Sequence, residues 1–195
     1  MFTGIVTSVG KVAAVQTRSG HRRLFIETAN GFLKNVSIGD SIACSGVCLT
    51  VAEKTARRFA VDLSLETLAA TTAGDWVGGT PVNLELALTL QQPLGGHLVS
   101  GHVDGLAILE SRRAAGPCEA MVFSVPTGLA RYIPRKGSVC LHGVSLTVNR
   151  IKGLRFELML VPHTLKSTTL GQLRPGDRVN LEVDLLARYL ERLQQ

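Results

Sequence analysis

The sequence predicts an all-β protein made of two tandem copies of one small barrel, and three observations predict it. Gly46-Val47-Cys48-Leu49-Thr50-Val51 returns 97 residues later as Gly143-Val144-Ser145-Leu146-Thr147-Val148. The same shift holds without a gap elsewhere, taking Thr67-Leu68 to Thr164-Leu165, Val82-Asn83-Leu84-Glu85 to Val179-Asn180-Leu181-Glu182, and Thr3-Gly4-Ile5-Val6 to Ser100-Gly101-His102-Val103. Each copy also reads as short β-rich runs separated by turn residues. Two copies are too few to stack as a solenoid, and a closed barrel removes the sheet edges that invite aggregation.

Taken in order, the first copy has β-rich runs at 4–15, 23–28, 41–51, 58–63 and 82–86, and the second copy repeats them at the same shift. A helical stretch begins after Ser64, which reads as its N-cap with Thr67 three positions on. Gln91-Gln92-Pro93-Leu94-Gly95-Gly96 carries the turn formers between the copies and reads as the linker. The expected units are therefore a barrel at 1–94, a barrel at 95–184 and a C-terminal helix at 185–195. In that tail Leu186, Tyr189, Leu190 and Leu193 fall on one helical face, which must cover its own barrel or a neighbouring subunit.

Composition narrows the function. With 45% hydrophobic and 18% charged residues among 195, the chain can bury real cores. No apolar run approaches the roughly 18 residues of a membrane span. The start, Met1-Phe2-Thr3-Gly4-Ile5-Val6, lacks the basic flank and apolar core of a secretion signal, so a reducing cytoplasm is expected. Cys44, Cys48, Cys118 and Cys140 form no CxxC pair, which gives a disulfide framework or zinc site little support. The net charge of +6 is scattered in pairs such as Arg22-Arg23 and Arg112-Arg113 without interleaved aromatics, so a nucleic-acid partner is not expected.

No phosphate loop, dinucleotide fingerprint or metalloprotease helix is present. His97 and His102, five apart in an extended run, project to opposite faces, so no metal is expected there and His97 reads as a structural residue at the linker. The chemistry lies where the copies differ. Cys48 faces Ser145, Ile5 faces His102, Glu66 faces His163, Ser45 faces His142, Asp62 faces Met159 and Phe2 faces Val99. One copy has a thiol and carboxylates where the other has a hydroxyl and imidazoles, groups suited to proton transfer near neutral pH.

On the opening Met1-Phe2-Thr3-Gly4-Ile5-Val6, the two Gly-Val-Cys/Ser-Leu-Thr-Val segments and Gly95-Gly96-His97-Leu98-Val99-Ser100-Gly101-His102-Val103, the sequence resembles the riboflavin synthase family, alpha-chain type, over essentially its whole length. The resemblance implies two homologous six-stranded antiparallel Greek-key barrels, a homotrimer with an intersubunit active site and, as a further partner, lumazine synthase. It implies dismutation of 6,7-dimethyl-8-ribityllumazine into riboflavin and 5-amino-6-(D-ribitylamino)uracil, without metal or other cofactor. It assigns substrate binding to Gly4, Ile5, Val6, Cys48, Leu49, Thr50, Asp62, Leu63, Ser64, Leu65, Glu66 and Thr67 in the first barrel. In the second it assigns Gly101, His102, Val103, Lys136, Ser145, Leu146, Thr147, Met159, Leu160, Val161, Pro162, His163 and Thr164. Phe2, Ser41, Cys48, His102, Ser145, Thr147 and Asp184 match the positions implicated in catalysis or site formation. The alternative is a non-catalytic lumazine or flavin carrier of the same ancestry, against which the intact Phe2, Cys48, His102 and Ser145 weigh.

Overall fold

The structure is a computed structural model and describes residues 1–194. Period-two alternation builds its walls: in β4 (Val47–Lys54), Val47, Leu49 and Val51 are buried while Thr50 is exposed. β1 (Ser8–Arg18), β2 (His21–Glu27), β3 (Ser41–Cys44), β4, β5 (Arg58–Ser64) and β6 (Pro81–Leu86) close as an antiparallel barrel in the order β1-β2-β5-β4-β3-β6. β7 (Gly105–Ala115), β8 (Cys118–Ser124), β9 (Ser138–Leu141), β10 (Val144–Lys152), β11 (Arg155–Leu160) and β12 (Arg178–Val183) close in the equivalent cyclic order. Even the irregularities repeat. The register shifts at Val12/Ala14 and Val51/Glu53 recur at Leu109/Ser111 and Val148/Arg150, the bends that let six short strands close.

Two sequence expectations change. The run at 41–51 is a hairpin, because Ser45 (φ 44°) and Gly46 (φ 81°) both adopt left-handed backbone and fold β3 back onto β4. The run at 4–15 becomes a strand only at Ser8; residues before it form an arm. Ser64 does cap α1 (Leu65–Ala70), its hydroxyl accepting the Thr67 amide at 3.1 Å. α2 (Pro162–Ser167) opens instead on a proline in its first turn. The tail forms α3 (Leu185–Leu193), capped by the Asp184 carboxylate. No helix among the described residues is long and apolar enough to cross a membrane.

Each barrel has its own core, one around Leu24, Phe59 and Leu84, the other around Phe123, Phe156 and Leu181. The seam between them is reciprocal. Asn83 donates to the His142 carbonyl and accepts from the Thr169 amide, both at 2.8 Å, while Asn180 donates to the Ser45 carbonyl and accepts from the Thr72 amide, both at 2.8 Å. Gly46 and Gly143 meet across the same axis so closely that a Cβ on either would lie 2.7–2.8 Å from the other's amide nitrogen. Such mutual pairing is how two like surfaces fit around a twofold axis.

Candidate functional site

Phe2 and Val99 pair backbone to backbone in both directions, at 2.7 and 3.1 Å, and so bring two equivalent arms side by side. Glu85 holds the first arm: its carboxylate accepts the Thr3 amide and hydroxyl, both at 2.6 Å, and the Gly4 amide at 3.0 Å. Glu182 holds the second through the Ser100 amide at 2.7 Å, its hydroxyl at 2.6 Å and the Gly101 amide at 2.9 Å. Burial raises the Glu85 carboxyl above its ordinary value, with the bonds from Thr3, Gly4 and Ile5 opposing the rise.

Each arm reaches the other copy's barrel. The Gly4 carbonyl accepts the Ser145 amide at 2.8 Å, and Val6 packs against the second core. The Gly101 carbonyl accepts the Cys48 amide at 2.9 Å, and Val103 packs against the first core. This corrects the sequence-based grouping. Gly4, Ile5 and Val6 belong with Ser145, Leu146 and Thr147 on the second barrel, and Gly101, His102 and Val103 belong with Cys48, Leu49 and Thr50 on the first. Only glycine fits at the crossings. With φ +74° and +79°, a Cβ on Gly4 would stand 2.6 Å from the Ser145 Cβ, and one on Gly101 2.6 Å from the Cys48 Cβ.

Strand pleat sorts the remaining residues. Cys48 and Thr50 on β4, Asp62 and Ser64 on β5, Ser145 and Thr147 on β10, and Met159 on β11 are half-buried or exposed, so these candidate residues lie on the outer walls of the barrels. Leu49, Leu63 and Leu160 turn inward, at 5%, 1% and 1% exposure, and their side chains serve the cores rather than a ligand. Leu146 packs on the second core. Phe2, fully buried with Ala43, Val99 and Cys140, supports the arms from beneath. Ser41 sits opposite Thr50 in the β3–β4 ladder and lines a cleft of about 720 Å³ with Met1, Phe32, Val36 and Leu86.

Asp62 is bound by both carboxylate oxygens to Arg23, at 2.7 and 2.5 Å, and Arg23 also pairs with Glu53. The Arg23 guanidinium holds the Asp62 carboxyl below the ordinary carboxylate range. Around α1, Ser64 is committed to its cap and Glu66 is exposed, with Leu65 exposed and Thr67 half-buried beside it. In the equivalent stretch Val161, Pro162 and His163 are exposed and Thr164 is half-buried. Lys136 has φ +69° where the first copy places Gly39, a conformation costing a non-glycine residue on the order of 1–3 kcal/mol and typical of functional positions.

His97 holds the linker, as the sequence suggests, and also reaches a candidate residue. Its Nδ1 lies 2.7 Å from the Ser145 hydroxyl oxygen, and its amide donates to the Thr3 carbonyl at 3.1 Å. Burial lowers its pKa, against the opposing charge of Asp184, so the ring is neutral at neutral pH and able to accept the Ser145 proton. Ser145 and His97 thus meet on the second barrel, with the Asp184 charge acting on the imidazole. The first offers Cys48 and Ala87 at the aligned positions, and the position aligned with His97 would fall before Met1. His102, by contrast, is exposed.

Comparison with known proteins divides the chain into the same two halves. The Lumazine binding domain family matches residues 3–87 and again 100–184, each match taking in one arm. The chain is 46% identical over 200 residues to the riboflavin synthase of Brucella abortus (strain 2308), covering all of this chain and 98% of that protein. It is 44% identical over 193 residues to the riboflavin synthase of Photobacterium phosphoreum, covering 99% and 88%. It is 36% identical to that of Bacillus subtilis (strain 168) over 194 residues, covering 98% and 89%. The fold is shared with LumP complexed with riboflavin, at a TM-score of 0.87 and 23% identity, covering 94% of this chain and 99% of that one.

Proposed function

This chain belongs to the riboflavin synthase family of paired lumazine-binding domains, and from that premise we propose that it joins two molecules of 6,7-dimethyl-8-ribityllumazine. A four-carbon unit passes from one to the other, giving riboflavin and 5-amino-6-(D-ribitylamino)uracil. The observation that carries this reading is the reciprocal exchange of arms, Gly4 against Ser145 and Gly101 against Cys48. A reaction between two copies of one molecule needs two like sites, and a transfer in one direction needs them to differ.

The differences fit a division of labour. The lumazine C7 methyl is acidic because its carbanion delocalises into the ring, so no strong base is required. Neutral His97 takes the Ser145 proton as that hydroxyl adds to the bound ring, and returns it when the adduct breaks. At the other site His102 handles protons beside Cys48, with Asp62, Ser64 and Thr67 toward the ribityl chain. Holding the two rings in register supplies up to roughly 7–11 kcal/mol of the barrier in favourable cases.

A homotrimer belongs to the same reading. Leu186, Tyr189, Leu190 and Leu193 on α3 are 59–84% exposed, an apolar stripe their own barrel leaves uncovered. Packing of these stripes brings the first barrel of one chain against the second barrel of its neighbour, so each complete site is shared. A cytoplasmic location fits four cysteines without a disulfide. The test is incubation with the lumazine alone. Riboflavin fluorescence should appear with one riboflavin formed per two lumazines consumed; binding without turnover would identify a carrier and overturn the reading.

A further inference from the structure

Among the described residues the polar side of α3 is tied to the second barrel through Arg188 and through Glu191, and the first of these ties reaches the His102 arm. Arg188 Nη2 donates to the His102 carbonyl at 2.8 Å and pairs with the Asp104 carboxylate at 2.7 Å. Asp104 is itself fixed to β12, its other oxygen accepting the Val183 amide at 2.8 Å and its amide donating to the Leu181 carbonyl at 2.8 Å. The second tie is Arg131 to Glu191 at 3.0 Å, away from the arm. We infer that Arg188 is a positioning residue for His102, so that the seating of the C-terminal helix sets where the His102 ring stands over the first-barrel site. The inference rests on the reading of His102 as a proton-handling group.

His102 sits between two anchors. On one side Gly101 is held by the Cys48 amide and by Glu182; on the other the His102 carbonyl is held by Arg188. Its side chain is exposed, so little packing fixes the ring, and the held backbone sets the direction of the Cα–Cβ bond from which the ring's rotamers start. The Arg188 Nε is buried and makes no hydrogen bond among the described residues. Desolvating part of a guanidinium is costly for a residue that only solvates a surface, and it marks a side chain placed for its two bonds. The aligned residue of the first copy is Gln91 in the linker, so the tie accompanies the arm that carries the imidazole.

The test compares Arg188→Met, Arg188→Lys and Arg131→Met in the full chain. It reads kcat and KM with the lumazine, sedimentation, and the His102 ring C–H signal by NMR, assigned through His102→Gln. Arg188→Met should lower kcat roughly ten- to a hundredfold with KM little changed, as for a small misplacement of a reacting group. It should also shift the His102 signal at unchanged sedimentation. Arg188→Lys should recover part of both, and Arg131→Met, which loosens only the other tie, should leave both as in the wild type. Wild-type kcat with an unmoved His102 signal in Arg188→Met overturns the inference. So does an equal loss in Arg131→Met, or a loss that disappears as protein concentration is raised. Should the wild type form no riboflavin, the proposed function fails, while the NMR comparison still decides the link between Arg188 and His102.

Discussion

Replacing Asn180 with alanine tests whether the two barrels are one cooperative unit. Asn180 is 1% exposed and spends both ends of its amide on the opposite barrel, accepting from Thr72 and donating to Ser45. Alanine leaves the buried Thr72 amide unpaired and takes one donor from the Ser45 carbonyl, which the His142 ring also meets. At about 1–3 kcal/mol for the orphaned amide and about 0.5–1.5 kcal/mol for the lost bond, the loss is about 2–4 kcal/mol, a large share of the roughly 5–15 kcal/mol that holds a typical domain. Neither core is touched, so the damage should appear as uncoupling. Trp76, the single tryptophan, lies in the first core and reports on that barrel, whereas far-UV circular dichroism reports on both. In guanidinium chloride at fixed protein concentration the two signals should coincide for the wild type and separate for Asn180→Ala, with the midpoint lowered. Coincident transitions with a loss below about 0.5 kcal/mol would refute the argument that this seam is held by its asparagines.

Three further outcomes are expected. His142, buried in the seam with its Nδ1 accepting the Asn180 amide at 3.2 Å, has its pKa pushed down to about 4, chiefly by burial. A histidine depressed in this way contributes stability that is complete above about pH 6.5 and is lost as pH falls towards 4, about 3 kcal/mol in all. His142→Asn, which tolerates the left-handed φ of 48°, should flatten the urea midpoint across that window, and an unchanged pH slope would count against the assignment. Ser145→Ala and His97→Gln should each lower turnover by on the order of 10²–10⁴-fold while the lumazine still binds by fluorescence titration. Near-wild-type turnover in both would leave their hydrogen bond without a chemical role. Leu190→Glu should shift the sedimenting species toward monomer and lose activity in parallel, and a fully active monomer would remove α3 from the assembly.

The duplication, the β class, the Ser64 cap and the amphipathic tail were legible in the chain because each is written in a local period or in residues a fixed distance apart. A 97-residue shift and period-two alternation survive without knowing where anything packs. The pairing of arms with barrels was not legible, and for a specific reason: the shift maps Gly4 onto Gly101 and Cys48 onto Ser145 whether each arm stays at home or crosses over. Symmetry hides the exchange, and only the Gly4–Ser145 and Gly101–Cys48 hydrogen bonds decide it. His97 escaped for a related reason, since comparing the copies offers it no counterpart, and its partner Ser145 lies 48 residues further along the chain. The left-handed backbone at Lys136 and the inward turn of Leu63 and Leu160 likewise belong to the fold. Sequence supplied the residue types for proton transfer; which imidazole meets which hydroxyl depended on the closing of two barrels around one axis.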